Sequence, residues 1–83
     1  MNEINYEKFL LDLVKPLVVH PEDVVVSTFS EDETSVTLQI MVHPDDLGRV
    51  IGKRGRVANS IRTIVFACAS RFGKKIEVSI DSF

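Results

Sequence analysis

The stretch "LGRVIGKRGRVANSIR", residues 47–62, decides the fold. Gly52 and Gly55 bracket Lys53 and Arg54. Apolar residues lead in, and a helical pattern leads out. Leu47, Val50 and Ile51 form one face of a short helix before the glycines. Its start is "HPDD" (43–46), where Pro44 suits a first helical turn and Asp45 and Asp46 complement the positive end of the helix dipole. From Arg56 a second helix is expected to run to about Phe72, with Val57, Ile61, Ile64, Val65, Cys68 and Phe72 on its apolar stripe and Gly73 as the C-cap.

Outward from this centre the periods change. Tyr6, Phe9, Leu10, Leu13, Val14 and Leu17 recur at helical spacing, and Pro16 should end or kink that helix. "VVVSTF" (24–29) is β-branched and aromatic, hence a strand. "SEDETS" (30–35) reads as a polar turn. "VTLQIMV" (36–42) alternates, with Val36, Leu38, Ile40 and Val42 on one face, and is its hairpin partner. "KKIEVSI" (74–80) alternates again, with Ile76, Val78 and Ile80 inward, and makes a third strand. The order α-β-β-α-α-β predicts an α+β domain with its helices packed on one face of a three-stranded sheet.

Length and composition agree with a single domain over 1–83. Apolar residues make up 45% of the 83, with three prolines and four glycines, which excludes a disordered chain. No apolar run reaches a membrane span and "MNEINYEKF" is no signal peptide, so a cytoplasmic protein is expected. The lone Cys68, within "IVFACAS", reads as a small core residue.

The net charge of −2 hides an asymmetry. Residues 1–46 hold ten acids and only Lys8 and Lys15 as bases, a balance of −8. Residues 47–83 hold eight bases and only Glu77 and Asp81 as acids, a balance of +6. A local basic half permits a polyanionic partner despite a pI near 5.6.

Three readings of the glycine turn compete. It can be a tight corner between helices. It can be a nucleotide phosphate loop, but "GRVIGKR" is one residue short of G-x-x-x-x-G-K-[ST], has Arg54 where a hydroxyl must hold magnesium, and follows a helix. It can be a G-x-x-G loop that grips single-stranded nucleic acid. Glycines let another backbone come close, and the free N–H groups of the following helix point at it. Lys53 and Arg54 would meet phosphates, flanked by Arg49 and Arg56, while Ile51, Val50 and Leu47 would floor a base groove. No aromatic platform flanks the loop, so modest affinity, weak base preference and a shallow salt dependence are expected.

"VIGKRGRVANSIRTI" resembles the signature of KH domains, and the element order resembles their type II, prokaryotic arrangement. With "VKPLVVHPEDV", "DDLGRVIGKRGRVANSIRTIV" and "GKK", nearly the whole chain resembles the small bacterial single-KH proteins of the KhpA (YlqC-like) family. Val19 stands where that family more often has an acid. The resemblance implies an RNA-binding RNA chaperone, a homodimer, a complex with a KhpB/Jag-type protein, and a role in cell elongation, division and peptidoglycan homeostasis. By position it places the loop at Gly52, Lys53, Arg54 and Gly55, preceded by Ile51.

No catalytic constellation is visible, so no enzyme and no cofactor is expected. "VVHPED" (18–23) and "MVHPDD" (41–46) are a near repeat read as turn punctuation. A metal site from His20, His43 and the adjacent acids matches no known spacing, and none is assigned. On a helical wheel Phe66 falls opposite the core stripe, with Asn59, Arg62 and Ser70 near it and Ala58 and Ala69 alongside. An exposed Phe among small residues suggests a dimer surface there. The rival function is accordingly a protein-interaction module with incidental RNA contact.

Overall fold

The computed structural model describes residues 5–83. Helix α1 (Tyr6–Val14) starts where the Asn5 side chain accepts the Lys8 amide at 3.1 Å. It buries Tyr6, Leu10 and Val14. Pro16 stops the α-helical hydrogen bonding as expected, and Lys15–Leu17 tightens to a 3₁₀ turn. That turn carries Leu17 out of register with the stripe, leaving it 41% exposed.

Strands β1 (Val25–Glu31) and β2 (Ser35–Val42) form the hairpin, paired antiparallel from Val25–Met41 to Glu31–Val36. A bulge between Thr28 and Ser30 leaves Phe29 as the extra residue. The expected six-residue turn is shorter than its polarity suggested. Asp32 Oδ1 accepts the amides of Thr34 at 2.7 Å and Ser35 at 2.8 Å, closing an Asx turn and letting both strands run further.

Strand β3 (Lys75–Ser82) lies on the other side of β2 and runs parallel to it, giving the order β1-β2-β3. The parallel pairing requires a crossover, which α2 (Leu47–Ile51) and α3 (Arg56–Ser70) supply. The helix-facing side of β2 is the centre of the core: Val36, Leu38, Ile40 and Val42 are all buried. Ile76, Val78 and Ile80 pair with the first three of these and share their face, as the alternation required.

Helix α3 departs from the expected stripe. Its buried residues are Ala58, Ile61, Val65 and Ala69, whereas Ile64 is 47% and Phe72 50% exposed. The two alanines, placed beside Phe66 on the wheel, instead face the core. Their small side chains let α3 approach closely, turning Ile64 outward. The helix also ends sooner. The Lys74 amide donates to Ala69 O and the Gly73 amide to Ser70 O, with Gly73 at φ 74°, so Phe72 falls in a Schellman turn. Lys74 pairs with Glu31 at 2.9 Å and ties this turn to the end of β1. Among the described residues no helix is long and apolar enough to cross a membrane.

Candidate nucleic-acid interface

Five residues of α2 lead into the loop. Val50 is fully buried, Leu47 and Ile51 half-buried. Val50 therefore supports the loop from beneath and cannot itself touch a ligand, which corrects its place in the base floor. The Gly52 amide closes α2 onto Gly48 O at 2.8 Å. The chain then takes Gly52 at φ 78°, ψ 171° and, after Lys53, two successive left-handed residues: Arg54 at φ 58° and Gly55 at φ 74°. Gly55 N–H donates to Gly52 O at 3.1 Å, closing the turn.

The two glycines do different work. A Cβ on Gly52 would lie 2.5 Å from Val57 Cγ2 and 2.8 Å from Val57 N, whereas one on Gly55 meets nothing within 4 Å. Gly52 is demanded by packing of the loop on α3. Gly55 keeps an open surface at the start of α3, where no side chain caps the helix. Lys53, Arg54 and Arg56 are exposed around that start. Among the described residues none of the three forms an ion pair. The positive helix end and these three exposed cations together make a surface for phosphate. Arg54 bears the left-handed backbone at a non-glycine residue, a strain with no signal in the residue types and one that commonly marks a functional turn.

Arg49 differs from its neighbours. Its Nη1 donates to Asp45 O at 3.0 Å and to Asp46 Oδ1 at 3.3 Å, drawing it back towards the start of α2. Asp46 is the residue that sequence reasoning undervalued. Read as a dipole partner, it is fully buried and accepts the amides of Val19 at 3.0 Å and His20 at 2.9 Å. Burial alone would push its carboxyl up, but those two amides, with the His20 and Arg49 charges, hold it below the ordinary carboxylate range.

The same staple brings the two His-Pro turns together. The rings of His20 and His43 stack with centroids 4.0 Å apart and 22° between planes. Asp45 Oδ2 lies 3.8 Å from His20 Nε2 and 3.6 Å from His43 Nδ1, so these three residues sit within metal-ligand reach of one another. A ring nitrogen binds a metal in the plane of its ring, and stacked rings direct their nitrogens side by side rather than at one point. Moreover, His43 Nδ1 already accepts the Asp45 amide at 3.0 Å. The arrangement fits a packed turn better than a metal centre.

On the other flank of α3 a groove of about 500 Å³ opens against β3, lined by Arg62, Thr63, Phe66, Ile76, Glu77 and Val78. Arg62 Nε donates to Val78 O at 3.0 Å across it. Phe66 is 54% exposed, and Asn59, Arg62 and Ser70 are exposed as the wheel indicated.

A three-stranded mixed sheet under helices, with a G-x-x-G loop joining two of them, defines a type II KH domain. The model of the KH domain of KhpA and KhpB matches residues 7–80, and the chain belongs to that family. It is 53% identical over 74 residues to a protein of Listeria monocytogenes named RNA-binding protein KhpA, covering 89% of this chain and 96% of that one. It is 40% identical over 80 residues to the Bacillus subtilis protein of the same name, covering 96% and 98%. Among solved structures, Aquifex aeolicus Era superposes with a TM-score of 0.67 at 13% identity over 98% of this chain. That likeness is one of fold, and the chain spans 33% of the Era chain.

Proposed function

We propose that the protein binds single-stranded RNA without catalysing a reaction, gripping the phosphate backbone at Gly52–Gly55. The observation that carries this is the loop: an unobstructed Gly55, an α3 start with no side-chain cap, and Lys53 and Arg54 exposed and, among the described residues, without ion pairs. The name RNA-binding protein, borne by relatives that match along nearly their whole length, supports it. Gly52, Lys53, Arg54 and Gly55 form the clamp, Arg56 adds charge beside it, and half-buried Ile51 borders it.

Finer assignments extend this reading. In it the protein is a cytoplasmic RNA chaperone, a homodimer, and a partner of a KhpB/Jag-type protein in control of cell elongation, division and peptidoglycan homeostasis. The family's joint description, KhpA/KhpB, supports the partner. The exposed Ile64 and Phe66 of α3, with Asn59 and Ser70, support a second chain docking on that helix. If docking is the main task, RNA contact is incidental.

Titration of a fluorescent single-stranded RNA separates the two. Lys53→Asp/Arg54→Asp should weaken binding at least about tenfold at low salt, with circular dichroism unchanged, because two phosphate contacts become repulsions. The difference should shrink as salt rises. Equal binding by wild type and variant would leave the loop as architecture only.

A further inference from the structure

We infer that the free edge of β1 is a docking site for an extended basic segment of another protein, which adds to the sheet as a fourth strand. This goes beyond the RNA-binding reading and uses the edge of the sheet opposite β3 and the α3 groove.

The order β1-β2-β3 leaves two edges. The chain engages one of them itself, because Arg62 Nε donates to Val78 O on β3. The other is open. Among the described residues no hydrogen bond joins the backbone of Val25–Glu31 to any element but β2. In an antiparallel pair the amide and carbonyl of every other residue point away from the neighbour, so β1 presents a row of unpaired donors and acceptors. Edge strands are commonly guarded by lysine, proline or a bulge. β1, "VVSTFSE", has neither lysine nor proline, and its bulge comes only after the regular stretch Val25–Thr28. Its apolar side chains are also uncovered. Val25, opposite Met41 on the face away from the core, is 44% exposed, and Phe29 65%.

Charge selects the occupant. The Glu7 carboxylate reaches the strand from α1 and accepts the Thr28 hydroxyl at 2.6 Å. Asp23 stands two residues before β1 and Glu33 two residues after it. Among the described residues none of these three carboxylates forms an ion pair. β1 itself holds no base. A second copy brought edge to edge would set its own residues 1–46, with a balance of −8, against the same surface. Single-stranded RNA is repelled for the same reason. A strand with Lys or Arg at each end instead meets carboxylates near both ends of β1, about 20 Å apart at the usual rise per residue, and Glu7 between them. Strand addition draws its affinity from main-chain hydrogen bonds and its specificity from such side chains.

The probe is a synthetic peptide of alternating Val and Thr with paired Lys at each end. It is titrated into isotope-labelled protein and followed by amide NMR shifts. The shifts should concentrate in Val25–Glu31 and leave Gly52–Gly55 unmoved, with or without RNA present. The same peptide N-methylated at every Val and Thr has lost its strand donors and should not bind. Replacing its Lys by Glu should weaken binding at least about tenfold at low salt. Glu7→Lys/Glu33→Lys, both on exposed positions, should weaken the Lys peptide by a similar factor. If the N-methylated peptide binds like its parent, or if the shifts fall on the glycine loop and RNA displaces the peptide, no strand is added at β1 and the proposal is wrong. If Lys and Glu peptides bind alike, the choice of a basic partner is wrong. If β1 amides gain protection only as protein concentration and sedimenting mass rise together, the edge belongs to a second copy. No shift in β1 at millimolar peptide overturns the docking site outright.

Discussion

Gly52→Ala should lower the thermal midpoint by on the order of 15 °C, while Gly55→Ala three residues away should lower it by roughly half as much. The added Cβ at Gly52 would sit 2.5 Å from Val57 Cγ2, 2.8 Å from Val57 N and 2.9 Å from Val57 Cβ. A flexible side chain could yield, but a backbone nitrogen in the first turn of α3 cannot move without dragging the helix. The conformation is also closed to alanine: φ 78° with ψ 171° lies in a region essentially restricted to glycine, worth about 1–3 kcal/mol of strain. Overpacking adds about 1–3 kcal/mol. In a domain of this size each kcal/mol moves the midpoint about 4–8 °C. At Gly55 the backbone is ordinary left-handed helix, φ 74° and ψ 15°, and the space is empty. Alanine there costs about 1–2 kcal/mol. Melting curves of the two variants by circular dichroism decide the matter, and equal losses would refute the division of labour between the glycines. Gly55→Ala should in turn impair RNA binding more than stability, because its methyl occupies the surface a phosphate approaches.

What could be read in the chain alone follows from how local the cause is. The alternation of "VTLQIMV" and the G-x-x-G turn depend on neighbouring residues, and both stand as expected. The end of α1 was legible because proline acts within its own turn. The contact face of α3 was less so. A hydropathy wheel rewards Ile64 and Phe72, but close packing rewards the small Ala58 and Ala69, and only the position of the sheet decides between them. The left-handed Arg54 is imposed by the glycines on either side and has no residue-type signature. Val50 illustrates a limit within the site itself. An apolar residue next to a binding loop can line the surface or support it, and the spacing is the same in both cases. The His20–His43 stack had a faint trace in the near repeat of the two His-Pro turns, yet nothing local says that turns 23 residues apart should meet. What joins them is the carboxylate of Asp46.

Removing that carboxylate should be the second large effect. Asp46→Asn is expected to lower the thermal midpoint by on the order of 10 °C at neutral pH, although the change is nearly isosteric. Oδ1 accepts the Val19 amide and Arg49 Nη1, and Oδ2 accepts the His20 amide. Asparagine has one acceptor oxygen, so its NH₂ must face one of these donors, leaving two N–H groups opposed in a buried site. The loss should release residues 18–20 from the start of α2 and loosen the base on which the glycine loop stands. Acid should reproduce it. The folded-state carboxyl of Asp46 is lowered, so its contribution is complete above the unfolded value of about 3.9 and is lost as pH falls through the folded value. Asp32 adds to the same acid limb, its carboxyl held low by the Thr34 amide first and the Ser35 amide next. Urea midpoints measured from about pH 7 to about pH 2.5 should therefore fall for wild type and fall less for Asp46→Asn. The two curves should draw together as pH falls, because a proton on the wild-type carboxyl leaves it unable to accept both amides. Parallel curves would mean that Asp46 stabilises the chain by filling space, and that its charge does not hold the two turns together.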